Sequence, residues 1–122
     1  DAAVSLDGFL SRKGEHDWSV SKGGALEGYV IQVEKEQDGD FHVALAAKPG
    51  ETSTANWVIV EVSPAWRSKN ANLADTHLRA LRGKKVHVDG WLLYEPEGDD
   101  AGNDPRGTRW EIHPVTDIKV LD

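Results

Sequence analysis

Leu26-Glu27-Gly28-Tyr29-Val30-Ile31-Gln32-Val33-Glu34, followed shortly by Asp38-Gly39-Asp40-Phe41-His42-Val43-Ala44-Leu45, is the stretch that decides the fold. Tyr29, Ile31 and Val33 alternate with Val30, Gln32 and Glu34, the period of two expected of a strand with one apolar face. Asp38-Gly39 is a hairpin-turn signal. Beyond it, Phe41, Val43 and Leu45 are expected to point inward and Asp40, His42 and Ala44 outward. Two strands joined in this way open an all-β domain.

Downstream, Lys48-Pro49-Gly50-Glu51 ends the second strand, and Trp57–Val62 reads as a third, apolar on both faces at its centre. Ser63-Pro64 stops it. Asn70 or Asn72 then caps a helix, with Leu73, Ala74, His77, Leu78 and Leu81 on one side and Gly83 as its C-terminal stop. Val86–Tyr94 is a fourth strand, and Gly90 in its middle predicts a bulge or sharp bend. Residues 95–107 form a polar loop, and Thr108–Leu121 is a fifth strand, bent or interrupted at Pro114.

Five strands with a helix between the third and fourth is the layout of a mostly β, five-stranded OB-fold-like Greek-key barrel. A plain antiparallel sheet packed on one helix is the alternative. Upstream, residues 1–24 are glycine-punctuated and aperiodic, an N-terminal arm pinned by Phe9, Leu10 and Trp18; residues 25–122 form the OB-fold-like domain.

The 122 residues carry 14 Lys and Arg against 21 Asp and Glu, a formal net charge of −7. Such a chain has no global attraction for phosphate backbones or anionic lipid. Cysteine is absent, which excludes disulfides and thiolate metal sites. No apolar run reaches the roughly 18 residues that cross a bilayer. Methionine is absent too, and the start Asp1-Ala2-Ala3 suggests a trimmed precursor, by export-signal removal or other cleavage.

Two phrases carry chemistry. Asp38-Gly39-Asp40-Phe41-His42 and Trp110-Glu111-Ile112-His113-Pro114 each place a carboxylate and a histidine two positions apart, hence on one face of a strand. Asp40, His42, Glu111 and His113 are therefore candidate metal ligands or proton carriers, if the two strands come together. The usual pairing of an OB barrel does not place its second and fifth strands side by side along their length. The expected outcome is thus two separate pairs, with His42 and His113 more than roughly 8 Å apart. His87 and Asp89 repeat the pattern two strands from His42 and are not expected to join.

Among the aromatics, Trp91 and Trp110 alternate with aliphatic neighbours and read as core. Trp66 follows Pro64-Ala65 outside any periodic run, beside Arg67 and Lys69, and is the best single candidate for a ligand contact. The loops an OB-fold uses on nucleic acid read Glu34-Lys35-Glu36-Gln37-Asp38-Gly39-Asp40 and Glu95-Pro96-Glu97-Gly98-Asp99-Asp100, followed by Asp104. Their charge opposes a phosphate backbone. No phosphate-binding glycine loop, nucleophile elbow or cysteine nucleophile is present, and the sequence leaves any cofactor unidentified.

The phrases around Asp40–His42 and Glu111–His113, with Gly90-Trp91-Leu92-Leu93-Tyr94 between them, resemble a family of small bacterial exported or lipid-anchored OB-fold proteins over about residues 26–121. That family is described as nucleic-acid-binding or of unknown function. The resemblance implies the fold and a periplasmic or formerly lipid-anchored, extracytoplasmic location. The mature N-terminal cysteine that lipid anchoring needs is missing here. Three readings follow in order: a non-enzymatic exported binding module with an unidentified ligand or protein partner; a metal-binding and hydrolytic site; and single-stranded nucleic-acid binding.

Overall fold

The computed structural model describes residues 3–4, 6–11, 23–94 and 106–121. In chain order it contains β1 (Ala3–Val4), α1 (Leu6–Leu10), β2 (Gly23–Lys35), β3 (Phe41–Ala46), β4 (Val58–Val62), α2 (Pro64–Lys69), α3 (Asp75–Arg79), β5 (Lys85–Tyr94) and β6 (Trp110–Val120), with 3₁₀ turns at Thr54–Asn56 and Ala71–Leu73. β2 pairs antiparallel with β3 on one side and with β5 on the other. β3 continues to β4, and β5 to β6, both antiparallel. The ring closes where β4 and β6 run parallel, paired at Val60 and Ile112 alone. This is the five-stranded OB barrel expected from the strand order, and closure excludes the open sheet. β1 adds a short parallel edge to the start of β2.

The inner face of β2 differs from the expected alternation. Leu26 and Val30 are buried in the core, while Tyr29 and Ile31 are only half-buried. The register slips between Val30 and Gln32, which returns Val33 to the core side. Such a bulge lets one long strand serve both ends of a coiled barrel. Ile31 instead packs on an outer layer with Ala44, Ala46, Trp57 and Ile59. Both faces of β3 and β4 are consequently buried.

The expected single helix is split into three pieces and begins earlier. Ser63-Pro64 ends β4 and also starts α2, because the Ser63 hydroxyl accepts from the Trp66 backbone N–H and Pro64 occupies the first turn. The Asn70 side chain caps the 3₁₀ turn rather than a long helix. Ala74, at φ −64° and ψ 150°, interrupts the helical path before α3. The outcome for the core is the one expected: Leu73, Leu78 and Leu81 are buried against the barrel, and Gly83 takes the left-handed φ of 86° after α3.

The N-terminal segment reaches the same core, with Leu6 and Phe9 buried and Leu10 packed against it. Trp18 and the acidic run 95–105 lie outside the described residues. β6 passes through Pro114 without interruption. Register shifts fall on both sides of Gly90, but the extra residues belong to β6, and β5 stays in unbroken register with β2. A Cβ on Gly90 would lie 2.4 Å from Ile112 Cγ2 and 2.5 Å from the Pro114 carbonyl, so only glycine lets β5 approach the bent β6.

Candidate functional site

At the seam between β4 and β6, Val60 and Ile112 fill the core. Their strand neighbours must face the opposite way. Glu61 therefore emerges on the outer face beside Glu111 and His113. Across β4, Glu61 is register partner to His42 of β3. Asp40 reaches the group from the turn before β3, and that turn is held in place. Its backbone N–H bonds the Asp38 side chain at 2.9 Å, and the Glu36 N–H bonds its carbonyl at 2.8 Å. The Arg67 guanidinium, from α2, donates to the Gly39 carbonyl at 2.7 Å.

The four sequence candidates are thus brought together, contrary to the expected separation, and Glu61 is the residue that joins them. Its Oε1 lies 3.1 Å from His42 Nε2 and 3.4 Å from His113 Nδ1. Two nitrogens that share one oxygen at such distances lie well within the roughly 8 Å that one coordination sphere spans. His113 Nδ1 also lies 3.1 Å from Glu111 Oε2, and its Nε2 lies 3.9 Å from Asp40 Oδ2. Glu111 Oε1 accepts from Arg106 Nη1 at 2.7 Å. One ligand atom each from Asp40, Glu61 and His113 fit within 4.8 Å of one another.

Burial makes the electrostatics strong. The Glu111 side chain is fully buried and that of Arg106 4% exposed, while Asp40 and His113 form the mouth at 16% and 27%. Burial raises the Glu111 carboxyl to about 7, with His113 and Arg106 opposing the shift and Glu61 adding to it. His113 is raised to about 10, first by its hydrogen bond to Glu111 and then by Glu61, against the cost of burial. For Glu61 burial acts upward, but hydrogen bonds with His113, His42 and Glu111 outweigh it and hold the carboxyl far below its usual range. Asp40 is raised, by burial first and then by Asp38. Without a ligand, the protonated His113 therefore stands as a cation among three carboxyl groups.

Glu61 and Arg106 were not among the sequence candidates. The signal for Glu61 was available in Val58-Ile59-Val60-Glu61-Val62, since a carboxylate in a strand covered on both faces must find partners. Arg106 reaches the site through Gly107, which is a close-approach residue rather than the turn glycine its setting suggests. A Cβ on Gly107 would lie 2.1 Å from the Ala55 carbonyl oxygen, and its N–H bonds the Trp57 carbonyl at 2.7 Å.

The remaining candidates fall elsewhere. Trp66 sits in α2, half-buried against the core rather than exposed, with the Lys69 ammonium 5.0 Å from its ring centroid. Trp110 is fully buried and meets Tyr94 edge-on at 5.4 Å. Trp91, expected in the core, is 46% exposed. The alternation of β5 runs through Gly90, with Val86, Val88 and Leu92 buried, and so turns Trp91 outward. His87 bonds Glu27 at 2.8 Å and Asp89 at 3.1 Å, apart from the cluster.

No family model matches the chain, and no curated protein does. Solved structures do. Asparaginyl-tRNA synthetase of Entamoeba histolytica matches 99% of this chain at 12% identity with a TM-score of 0.53, and this chain spans 24% of that one. The OBody AM1L10 bound to hen egg-white lysozyme matches 93% of this chain and 90% of its own length, at 13% identity and a TM-score of 0.57. A second OBody bound to lysozyme, AM2EP06, matches 84% of this chain and 82% of its own at 17% identity and a TM-score of 0.56. At such identities the likeness defines the fold class, an OB-fold barrel. Among the described residues no helix is long and apolar enough to cross a membrane.

Proposed function

We propose that this protein is a non-enzymatic binding module on an OB scaffold, and that its ligand is a divalent transition-metal ion held by Asp40, Glu61 and His113. The observation that carries the reading is the convergence of their three ligand atoms within 4.8 Å. Imidazole with carboxylates suits zinc and its neighbours better than calcium or magnesium. The His113 Nε2 faces Asp40, while its Nδ1 lies 3.1 Å from Glu111 and 3.4 Å from Glu61. The imidazole thus stands between Asp40 and Glu61, the two carboxylates that would share the ion. Arg106, behind Glu111, fixes that carboxylate and hence the imidazole, the outer-shell support that metal-bound histidines use. His42 supports Glu61 in the same way. The bound ion would take the place of the His113 proton.

Three protein ligands leave a coordination position open, as in hydrolytic zinc sites. Ester hydrolysis is therefore the second activity to assay. Nucleic acid is disfavoured by the acidic residues flanking the β2–β3 turn. An extracytoplasmic setting accords with the resemblance drawn from the sequence, and cell fractionation tests it.

Calorimetric titration with zinc, manganese and calcium tests the site. One zinc per chain should bind, manganese more weakly and calcium least. Glu61→Gln or His113→Ala should abolish binding, and His42→Ala should weaken it by about 10–100-fold. Equal zinc affinity in wild type and Glu61→Gln would sink the reading.

A further inference from the structure

A cleft of about 410 Å³ on the β5 side of the barrel shares no residue with the carboxylate–histidine cluster. One wall is Trp91, which stands out from β5 opposite Gly23 of β2. Gly23 adds no side chain there, and the next register pair, Gly24 with Gly90, is directed towards Leu92 and Ile112 of the core, so the floor between the strands is backbone. The facing wall is the half-buried Trp66 of α2. Polar groups sit at one end. Asp89 is held by His87 through Oδ1 at 3.1 Å, and the Thr116 hydroxyl donates to the Asp89 carbonyl at 3.3 Å.

Two indoles over a bare floor with a fixed carboxylate at the end make a small-molecule site of common size and composition. Exposing a large apolar ring on a strand also has a cost that a ligand would relieve. The ligand must offer a flat apolar face to the indoles and hydrogen-bond donors to the carboxylate. A nucleobase meets the first demand but brings phosphate with it. Among the residues lining the cleft the charged one is Asp89. Beyond the lining, His87 bonds Asp89 at 3.1 Å, Lys119 lies 3.9 Å from Asp117, the register partner of Asp89, and the Lys69 ammonium stands over Trp66. A phosphate would meet the Asp89 carboxylate with no cation among the lining residues to hold it. A pyranose ring carries no charge, stacks its C–H face on indole and donates paired hydroxyls to a carboxylate.

We propose that this cleft binds a neutral saccharide of one or two pyranose rings, stacked on Trp91 and Trp66, with its hydroxyls bonded to Asp89. The site does not depend on the cation reading. Occupancy would quench or shift tryptophan emission, because both walls are indoles.

The test is a calorimetric and tryptophan-fluorescence titration of the whole chain with cellobiose, maltose and N,N′-diacetylchitobiose, with adenosine monophosphate as an anionic stacking control. At least one disaccharide should bind saturably in the millimolar range. Trp91→Ala, at an exposed position, should keep the wild-type melting temperature and weaken that binding about tenfold or more, as loss of one stacking ring does. Asp89→Asn should weaken it while leaving the fold intact. Absence of saturable binding by all three disaccharides up to tens of millimolar would overturn the proposal. So would unchanged affinity in Trp91→Ala, or tighter binding of the adenosine monophosphate.

Discussion

His113 Nδ1 on β6 lies 3.4 Å from Glu61 Oε1 on β4, across a seam whose two strands pair at a single position, Val60 with Ile112. The barrel is thus closed at this point by side chains as much as by backbone. A ligand that binds both residues should staple the seam. At 100 times its dissociation constant, zinc should add about 2.7 kcal/mol to stability, a rise in melting temperature on the order of 10 °C for a domain of this size. Scanning calorimetry with and without zinc measures it. The rise should vanish in Glu61→Gln.

Stability of the metal-free protein should fall as pH rises from about 6.5 towards 10. His113 is raised to about 10, by Glu111 first and Glu61 second. The folded state therefore binds the imidazole proton more tightly than the unfolded chain, whose histidine titrates near 6.5. The stability this contributes is complete below pH 6.5 and is lost as pH passes through the folded value. Glu111, raised by burial to about 7, acts in the same direction between about 4.5 and 7. Urea midpoints across this range give the slope, and His113→Gln should flatten its alkaline half. An unchanged slope in that variant would remove His113 as the titrating group.

Arg106 and Glu111 form a buried pair, with side chains 4% and 0% exposed and 2.7 Å between Nη1 and Oε1. Truncating Arg106 leaves the buried Glu111 with His113 as its remaining cationic neighbour, so Arg106→Ala should cost up to about 3–5 kcal/mol. Replacing both with apolar residues of similar volume, Arg106→Met with Glu111→Met, should recover part of that loss. Urea denaturation of the three proteins decides the matter. A cost below about 1 kcal/mol for Arg106→Ala would show that the pair is solvated.

The strand order, the pairing irregularity at Gly90 and the burial of Trp110 follow from residue patterns that act over a few neighbours, and these were legible in the sequence. The inner face of β2 was not. A one-residue slip after Val30 reverses the phase, and period counting carries Ile31 inward when it lies outside. Trp91 was misplaced for a different reason: its aliphatic neighbours suggested a core position, but β5 keeps its alternation through Gly90, which turns Leu92 in and Trp91 out. In the site, the pairs Asp40–His42 and Glu111–His113 were legible because spacing two defines a strand face. Their convergence was not, since it depends on the parallel β4–β6 contact between segments some fifty residues apart. Glu61 breaks no alternation in a strand covered on both faces, so its chemical type in an apolar run, and not its spacing, was the mark to read.

Gly107→Ala is the substitution that separates the geometry of the site from its chemistry. The added methyl would meet the Ala55 carbonyl oxygen at 2.1 Å and Leu10 Cδ2 at 2.5 Å. Leu10 can turn away, but the Ala55 carbonyl belongs to the backbone of the 3₁₀ turn. The segment must therefore shift, straining the 2.7 Å bond from Gly107 N–H to the Trp57 carbonyl. Overpacking of this kind costs about 1–3 kcal/mol. The shift also carries Arg106 away from Glu111, loosening the support of His113 without altering any ligand of the proposed site. Zinc affinity should drop by about 10–100-fold, as when an outer-shell partner is lost. Measuring urea midpoint and zinc affinity on the same variant distinguishes the possibilities. A stability loss with undiminished zinc affinity would show that Arg106 does not position His113, and a variant as stable as wild type would show that the Gly107 segment has room for a side chain.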